Sequence, residues 1–122
     1  MKDITSRDEV NHLVTSFYQN VLEEVMLAPV FVATLGADMS NHYERMTDFW
    51  EDQILGTFKF DGNPMKVHLE LAEKFNLDND QFDIWLRIFH STVDEQYVGP
   101  NADKAKEQAM NIATVMRVKM NL

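Results

Sequence analysis

Gly62-Asn63-Pro64-Met65-Lys66-Val67-His68-Leu69 is the stretch on which the reading of this chain turns. Asn63 is a residue type that caps helices, Pro64 suits a first helical position, and His68 follows one turn later. The expected element is a short helix from Pro64 to about Ala72 that presents an imidazole among apolar neighbours. A neutral imidazole on such a rigid support suits the axial position of a haem iron. A lone histidine is more often an ordinary core or surface residue, and the Gly-Asn-Pro turn is what sets this one apart.

Helical periodicity surrounds the stretch on both sides. Ser6-x-x-Glu9 reads as a capping box opening a helix to about Glu24, with Val10, Leu13, Val14, Phe17, Tyr18, Val21 and Leu22 as its buried stripe. Pro29 starts a short helical turn through about Leu35, closed at Gly36. A third helix spans about Asp38 to Leu55 and ends at Gly56; its apolar side carries His42, Met46, Phe49, Trp50 and Ile54. Thr57 to Asn63 reads as a loop, and residues 73–78 as polar and irregular. A long helix from about Asn79 to Tyr97 puts Phe82, Trp85, Leu86, Phe89 and Val93 on one face and Ile84 and Ile88 on another, so it needs partners on two sides. Gly99-Pro100 breaks it. Asn101 is the expected cap of a last helix lined by Ala105, Ala109, Ile112, Ala113 and Met116. Phe31-Val32-Ala33-Thr34 is the best strand candidate, but it is short and isolated. The expected fold class is all-α, one domain over residues 1–122, built from two helix pairs and a short ligand-bearing helix.

Composition narrows the function. A chain of 122 residues with 45% hydrophobic residues, 8 Phe and 8 Met can build a core without covalent staples. Net charge is −9 and Lys/Arg clusters are missing, which argues against nucleic acid and against an anionic membrane surface as partners. With no cysteine there can be no disulfide, zinc-thiolate site, iron–sulfur cluster or thiolate-ligated haem. The first nine residues have no apolar core and are not expected to form a signal peptide, and no apolar run approaches a membrane span. A cytoplasmic location is the expectation.

Several side chains stand out beside His68. Tyr18 lies on a buried stripe next to Phe17 and offers an O–H; Trp85 offers only an N–H. His42 shares a helix face with Met46 and Phe49. By spacing alone each is equally a core or edge residue. His12 and His90 read as structural or exposed, and Glu9-x-x-His12 is half of a di-iron motif whose second half does not occur.

Taken in order, Phe17-Tyr18, Pro29-Val30-Phe31, His42, Phe49-Trp50, Gly62-Asn63-Pro64-Met65 with His68, Trp85-Leu86 with Phe89, Thr92-Val93-Asp94-Glu95, Gly99-Pro100 and Ile112-Ala113 resemble the truncated haemoglobins, specifically their group III branch. The resemblance runs over nearly the whole chain. It implies a shortened globin fold, two antiparallel helix pairs in a two-over-two sandwich around haem b (iron protoporphyrin IX). It implies His68 as the proximal metal ligand and Tyr18, His42 and Trp85 on the distal side. Met46, Phe49 and Trp50 would wall the pocket. Haem propionates need cations or water: Arg45, three residues past His42, is a candidate, with Lys59 and Lys66 beside it, and all three read first as plain surface charges. Small ligands would be O2, NO, CO or peroxide. Two strong donors imply tight O2 retention, suited to NO or oxygen redox chemistry or to sensing, with a reductase partner for repeated turnover. The match weakens between Glu73 and Gln81, where the family often has a Pro-rich link and a His in place of Gln81. A second class stays open at this point: a haem-free helical sensor or interaction module of globin shape, in which Tyr18 and Trp85 are plain core and His68 is incidental.

Overall fold

The computed structural model describes residues 1–35, 39–63, 66, 69 and 72–122, and the side chains of 33–35 and 39–41 lie outside that description. Its named helices are α1 (Arg7–Leu22), α2 (Ala28–Leu35), α3 (Met39–Leu55), α4 (Asn79–Gln96) and α5 (Pro100–Lys119). Among the described residues there is no strand; Lys2 and Tyr97 form an isolated bridge. No described helix is long and apolar enough to cross a membrane.

The helix ends follow sequence chemistry, with three departures. Ser6 caps α1, but Glu9 reaches past it: its carboxylate accepts the Thr5 N–H at 2.9 Å rather than the Ser6 N–H. Asp78 and Gln81 form a full capping box on α4, and Gln81 also donates to the Met26 carbonyl at 3.2 Å. The residue that breaks the family pattern thus closes a helix end. At α5 the expected cap Asn101 does not cap. Gly99 occupies that position, and the Asp3 carboxylate arrives from the other end of the chain to accept the Asn101 and Ala102 N–H groups at 3.0 and 2.9 Å. Asn101 instead donates to the Ile4 carbonyl at 2.7 Å.

The strand candidate Phe31–Thr34 lies inside α2. Its backbone is already turning before the helix begins: Ala28 N–H bonds Glu24 O and Phe31 N–H bonds Leu27 O. With no neighbouring strand to pair with, the apolar run stays helical. Residues 72–74 are helical, where an irregular stretch was expected from 73 onward. Gly36 and Asp38, the expected close of α2 and start of α3, lie outside the described residues.

Side-chain pairs give the packing directions. Arg7 meets Glu51, Asn11 meets Thr47, and Tyr18 meets His42, so α1 and α3 run antiparallel. Lys106 meets Asp94 and Arg117 meets Asp83, so α4 and α5 run antiparallel as well. The two pairs stack on each other through α1 with α4 and α3 with α5. Val10, Leu13, Phe17, Trp50, Ile54, Phe89 and Val93 share one buried cluster with Ala102, Ala105 and Ala109, whose small side chains let α5 approach closely.

Two threonines stitch the layers. Thr47 and Thr92 are fully buried; each donates to the carbonyl four residues back on its own helix and accepts an α1 side-chain amide, Asn11 for Thr47 and Asn20 for Thr92.

Gly99 has φ +140°, and a Cβ there would stand 2.5 Å from Asp3 Cγ. Gly99→Ala is therefore expected to destabilise the protein by roughly 1–3 kcal/mol. Urea unfolding followed by circular dichroism measures it, and an unshifted midpoint would mean that Asp3 can leave its capping position at no cost.

Candidate functional site

Helices α1, α3 and α4 converge on one group of aromatic side chains. Tyr18 projects from the buried stripe of α1 and is almost wholly enclosed. The His42 ring meets it edge-on with centroids 4.9 Å apart, and Phe31 and Tyr43 close round it at 5.8 and 5.6 Å. Phe17, 5.2 Å from Tyr18, passes the contact on to Trp85 at 5.8 Å. Trp85 stacks on Phe89, Phe89 on Trp50 at 4.7 Å, and Trp50 meets Phe49 at 5.4 Å. Met46 is buried in the same cluster.

Of the residues expected at the site, six are thus drawn together: Tyr18, His42, Met46, Phe49, Trp50 and Trp85. Arg45 lies apart from them. Its guanidinium stacks over Phe60, 5.2 Å from the ring centroid, and donates to the Asp61 carbonyl at 3.3 Å. Lys59 donates to Glu51, and Lys66 is exposed. His68 lies outside the described residues; of its segment, Asn63 accepts the Lys66 N–H at 3.1 Å and so caps the turn as expected. A cavity of about 230 Å³ has Asn63, Lys66, Leu69 and Lys119 among its lining and brings this segment against the end of α5.

Phe17, Phe31, Tyr43 and Phe89 were not singled out as site residues. Phe89 was detectable, since it lies one turn after Trp85 on the same face. Phe31 was not, because its run carried a strand signal, and Tyr43 sits off the apolar stripe of α3.

The Tyr18 hydroxyl makes no hydrogen bond among the described residues, although the ring is enclosed. A phenol O–H carried on an enclosed ring and not bonded to the described residues is free to meet an acceptor that arrives from outside. Burial, with a smaller contribution from Tyr43, pushes the phenol's pKa upward. The group therefore remains a donor at every physiological pH.

The sequence model of the bacterial-like globin family matches residues 2–121. A group 3 truncated hemoglobin, ctb, of Campylobacter jejuni is 25% identical over 112 residues, covering 89% of this chain and 86% of that protein. The crystal structure of the group III truncated hemoglobin from Campylobacter jejuni superposes with a TM-score of 0.85 at 25% identity, over 98% of this chain and 94% of that one. The 2/2 hemoglobin from Synechococcus sp. PCC 7002, solved in the cyanomet state with covalently attached heme, gives 0.70 at 25% identity, over 89% and 85%.

The Tyr18 phenol has its own pH signature. A raised folded-state pKa contributes stability that is complete below the ordinary tyrosine value of about 10 and is lost as pH climbs above it. Stability relative to Tyr18→Phe is therefore expected to be level up to about pH 10 and to fall beyond it. Urea midpoints across pH 8–11 test this, and a decline that begins well below pH 10 would contradict the assignment.

Proposed function

The chain belongs to the bacterial-like globin family and is similar to group III truncated haemoglobins, and on that premise we propose that it binds haem b through His68 and holds O2, NO or CO on the side facing Tyr18. The carrying observation is the placement of Tyr18, whose enclosed ring is set against His42, Phe31 and Tyr43 in an aromatic pocket. Haem, when bound, supplies an iron centre that takes diatomic ligands and exchanges electrons.

The protein's own groups do the rest. The His68 imidazole would hold the haem iron through a ring nitrogen, and its segment is capped by Asn63. Tyr18, kept neutral by burial, donates its proton in a hydrogen bond to whichever ligand atom carries negative charge. Trp85 adds an indole N–H, which makes no hydrogen bond among the described residues, and Phe17 ties it to Tyr18. His42 guards the entrance beside Tyr18. Met46, Phe49 and Trp50 exclude water, which strengthens each polar contact inside. Arg45 is half exposed and keeps a solvent side for a haem propionate.

Two donors favour O2 over CO, because O2 takes up more negative charge. Long retention suits NO oxidation, peroxide chemistry or sensing better than delivery. Repeated turnover calls for a reductase, and a cytosolic one fits a chain without cysteines.

Hemin titration tests the reading first: stoichiometric uptake with an intense Soret band is expected, and His68→Ala should abolish or grossly alter that band. Failure of the natural chain to take up hemin would leave a haem-free helical module. In the ferrous protein, Tyr18→Phe and Trp85→Phe should each speed O2 dissociation by about ten- to a hundred-fold, the equivalent of a lost hydrogen bond of roughly 1.5–3 kcal/mol. Stopped-flow rates unchanged in both variants would remove their assigned role.

A further inference from the structure

Helix α3 carries the residues assigned above to the distal side, yet its last turn grips the loop that leads to His68. Asp52 accepts three hydrogen bonds from that loop: the Thr57 hydroxyl at 2.6 Å and the Lys59 and Phe60 N–H groups at 2.9 Å each. Its neighbour Glu51, only 4% exposed, accepts Arg7 of α1 at 2.6 Å and the Lys59 ammonium at 2.9 Å. Arg7 also pairs with Asp48 at 2.8 Å. Phe58, in the middle of the loop, is fully exposed and adds no burial to hold it. Polar bonds to two adjacent carboxylates, helped by Phe60 against Phe49, keep the loop in place.

We propose that Asp52 and Glu51 are positioning residues for the proximal ligand, fixing the Thr57–Phe60 loop to α3 and thereby setting where the His68 segment begins relative to the distal face. The proposal rests on the haem reading above. Eight positions separate Phe60 from His68, and the turn at Gly62 (φ +116°) and the Asn63 cap occupy the start of that interval. A tether of that length limits how far a ring at position 68 can lie from the anchored loop. The distance between an axial ligand and a distal wall then depends on one helix rather than on two independently packed elements.

The carboxylates are charged when they do this. Burial opposes ionisation of Asp52, but the Thr57, Lys59 and Phe60 bonds outweigh it and hold the group below the usual carboxylate range. For Glu51 burial is likewise outweighed, by Lys59 and Arg7. Asparagine at position 52 would turn an amide N–H2 toward donors that need an acceptor. Glu51 would keep its two cations, so the loss would fall on the loop.

The test compares hemin loss and the iron–imidazole stretch in the natural chain, Asp52→Asn and Gly99→Ala. Hemin release is followed by transfer to an excess of a high-affinity haem acceptor, and the stretch by resonance Raman on the ferrous ligand-free form. Asp52→Asn should raise the release rate about tenfold or more, as expected for loss of a charge-assisted bond, and should shift or broaden the band. Gly99→Ala, which strains the Asp3 cap of α5 and leaves the Asp52 bonds in place, supplies the correction for lost stability alone and should leave the band unmoved. Thr57→Val removes one of the three bonds and should raise release by about threefold, which keeps the test open if Asp52→Asn does not fold. Release from Asp52→Asn no faster than lost stability accounts for, with an unmoved band, overturns the proposal while the globin reading stands. Absence of hemin uptake by the natural chain overturns both.

Discussion

Helix α1 is held on two sides by the same chemical device, and the remaining structure depends on it. Asn11 and Asn20 each offer an amide to a threonine hydroxyl, at 3.0 Å in both cases, on α3 and α4 respectively. Those hydroxyls are buried and donate to carbonyls of their own helices, and each oxygen accepts an α1 amide only while α1 stays in register. Slippage by one residue would break both amide–hydroxyl bonds, at about 0.5–1.5 kcal/mol each. Apolar packing is tolerant of small shifts, whereas these two links are not. They fix Tyr18, which lies between the two asparagines, against His42 on one side and against the Phe17–Trp85 contact on the other.

The pocket follows from that register. Its walls are aromatic, the Tyr18 phenol is kept neutral by burial, and its members come from helices held at fixed spacing. A donor prepared in this way loses little on meeting an acceptor, since neither its protonation nor its orientation must change. The Glu51–Asp52 grip extends the same logic to the opposite side. Both use a buried polar group to convert loose apolar contact into a defined distance.

Much of this was legible in the sequence because it rests on local periodicity. The stripes of α1 and α3, the two-sided character of α4 and the alanine face of α5 could all be read from spacing. The Asn63 turn could be read from residue types alone. What escaped were pairings across the chain. Asp3 as the cap of α5 has no local signature, since the partners lie 98 and 99 positions away. Gln81 looked like a departure from a family pattern, while its capping partner Asp78 sits in a stretch that read as irregular. The Phe31 run carried strand propensity without a strand to join. Arg45 was assigned by its distance from His42 along the helix, but its attachment to Asp61 and Phe60 depends on where the following loop folds back, and periodicity does not encode that.

The bracket made by Asp3 bears on how this chain is made. During synthesis the first residues emerge long before positions 101 and 102 exist. The start of α5 therefore finds its carboxylate only after about a hundred residues have been made. Until then α1 can pair with α3, but the seam between the two termini stays open. A nascent chain that has not yet passed Ala102 carries a half-closed molecule, and its locking step waits on the start of α5.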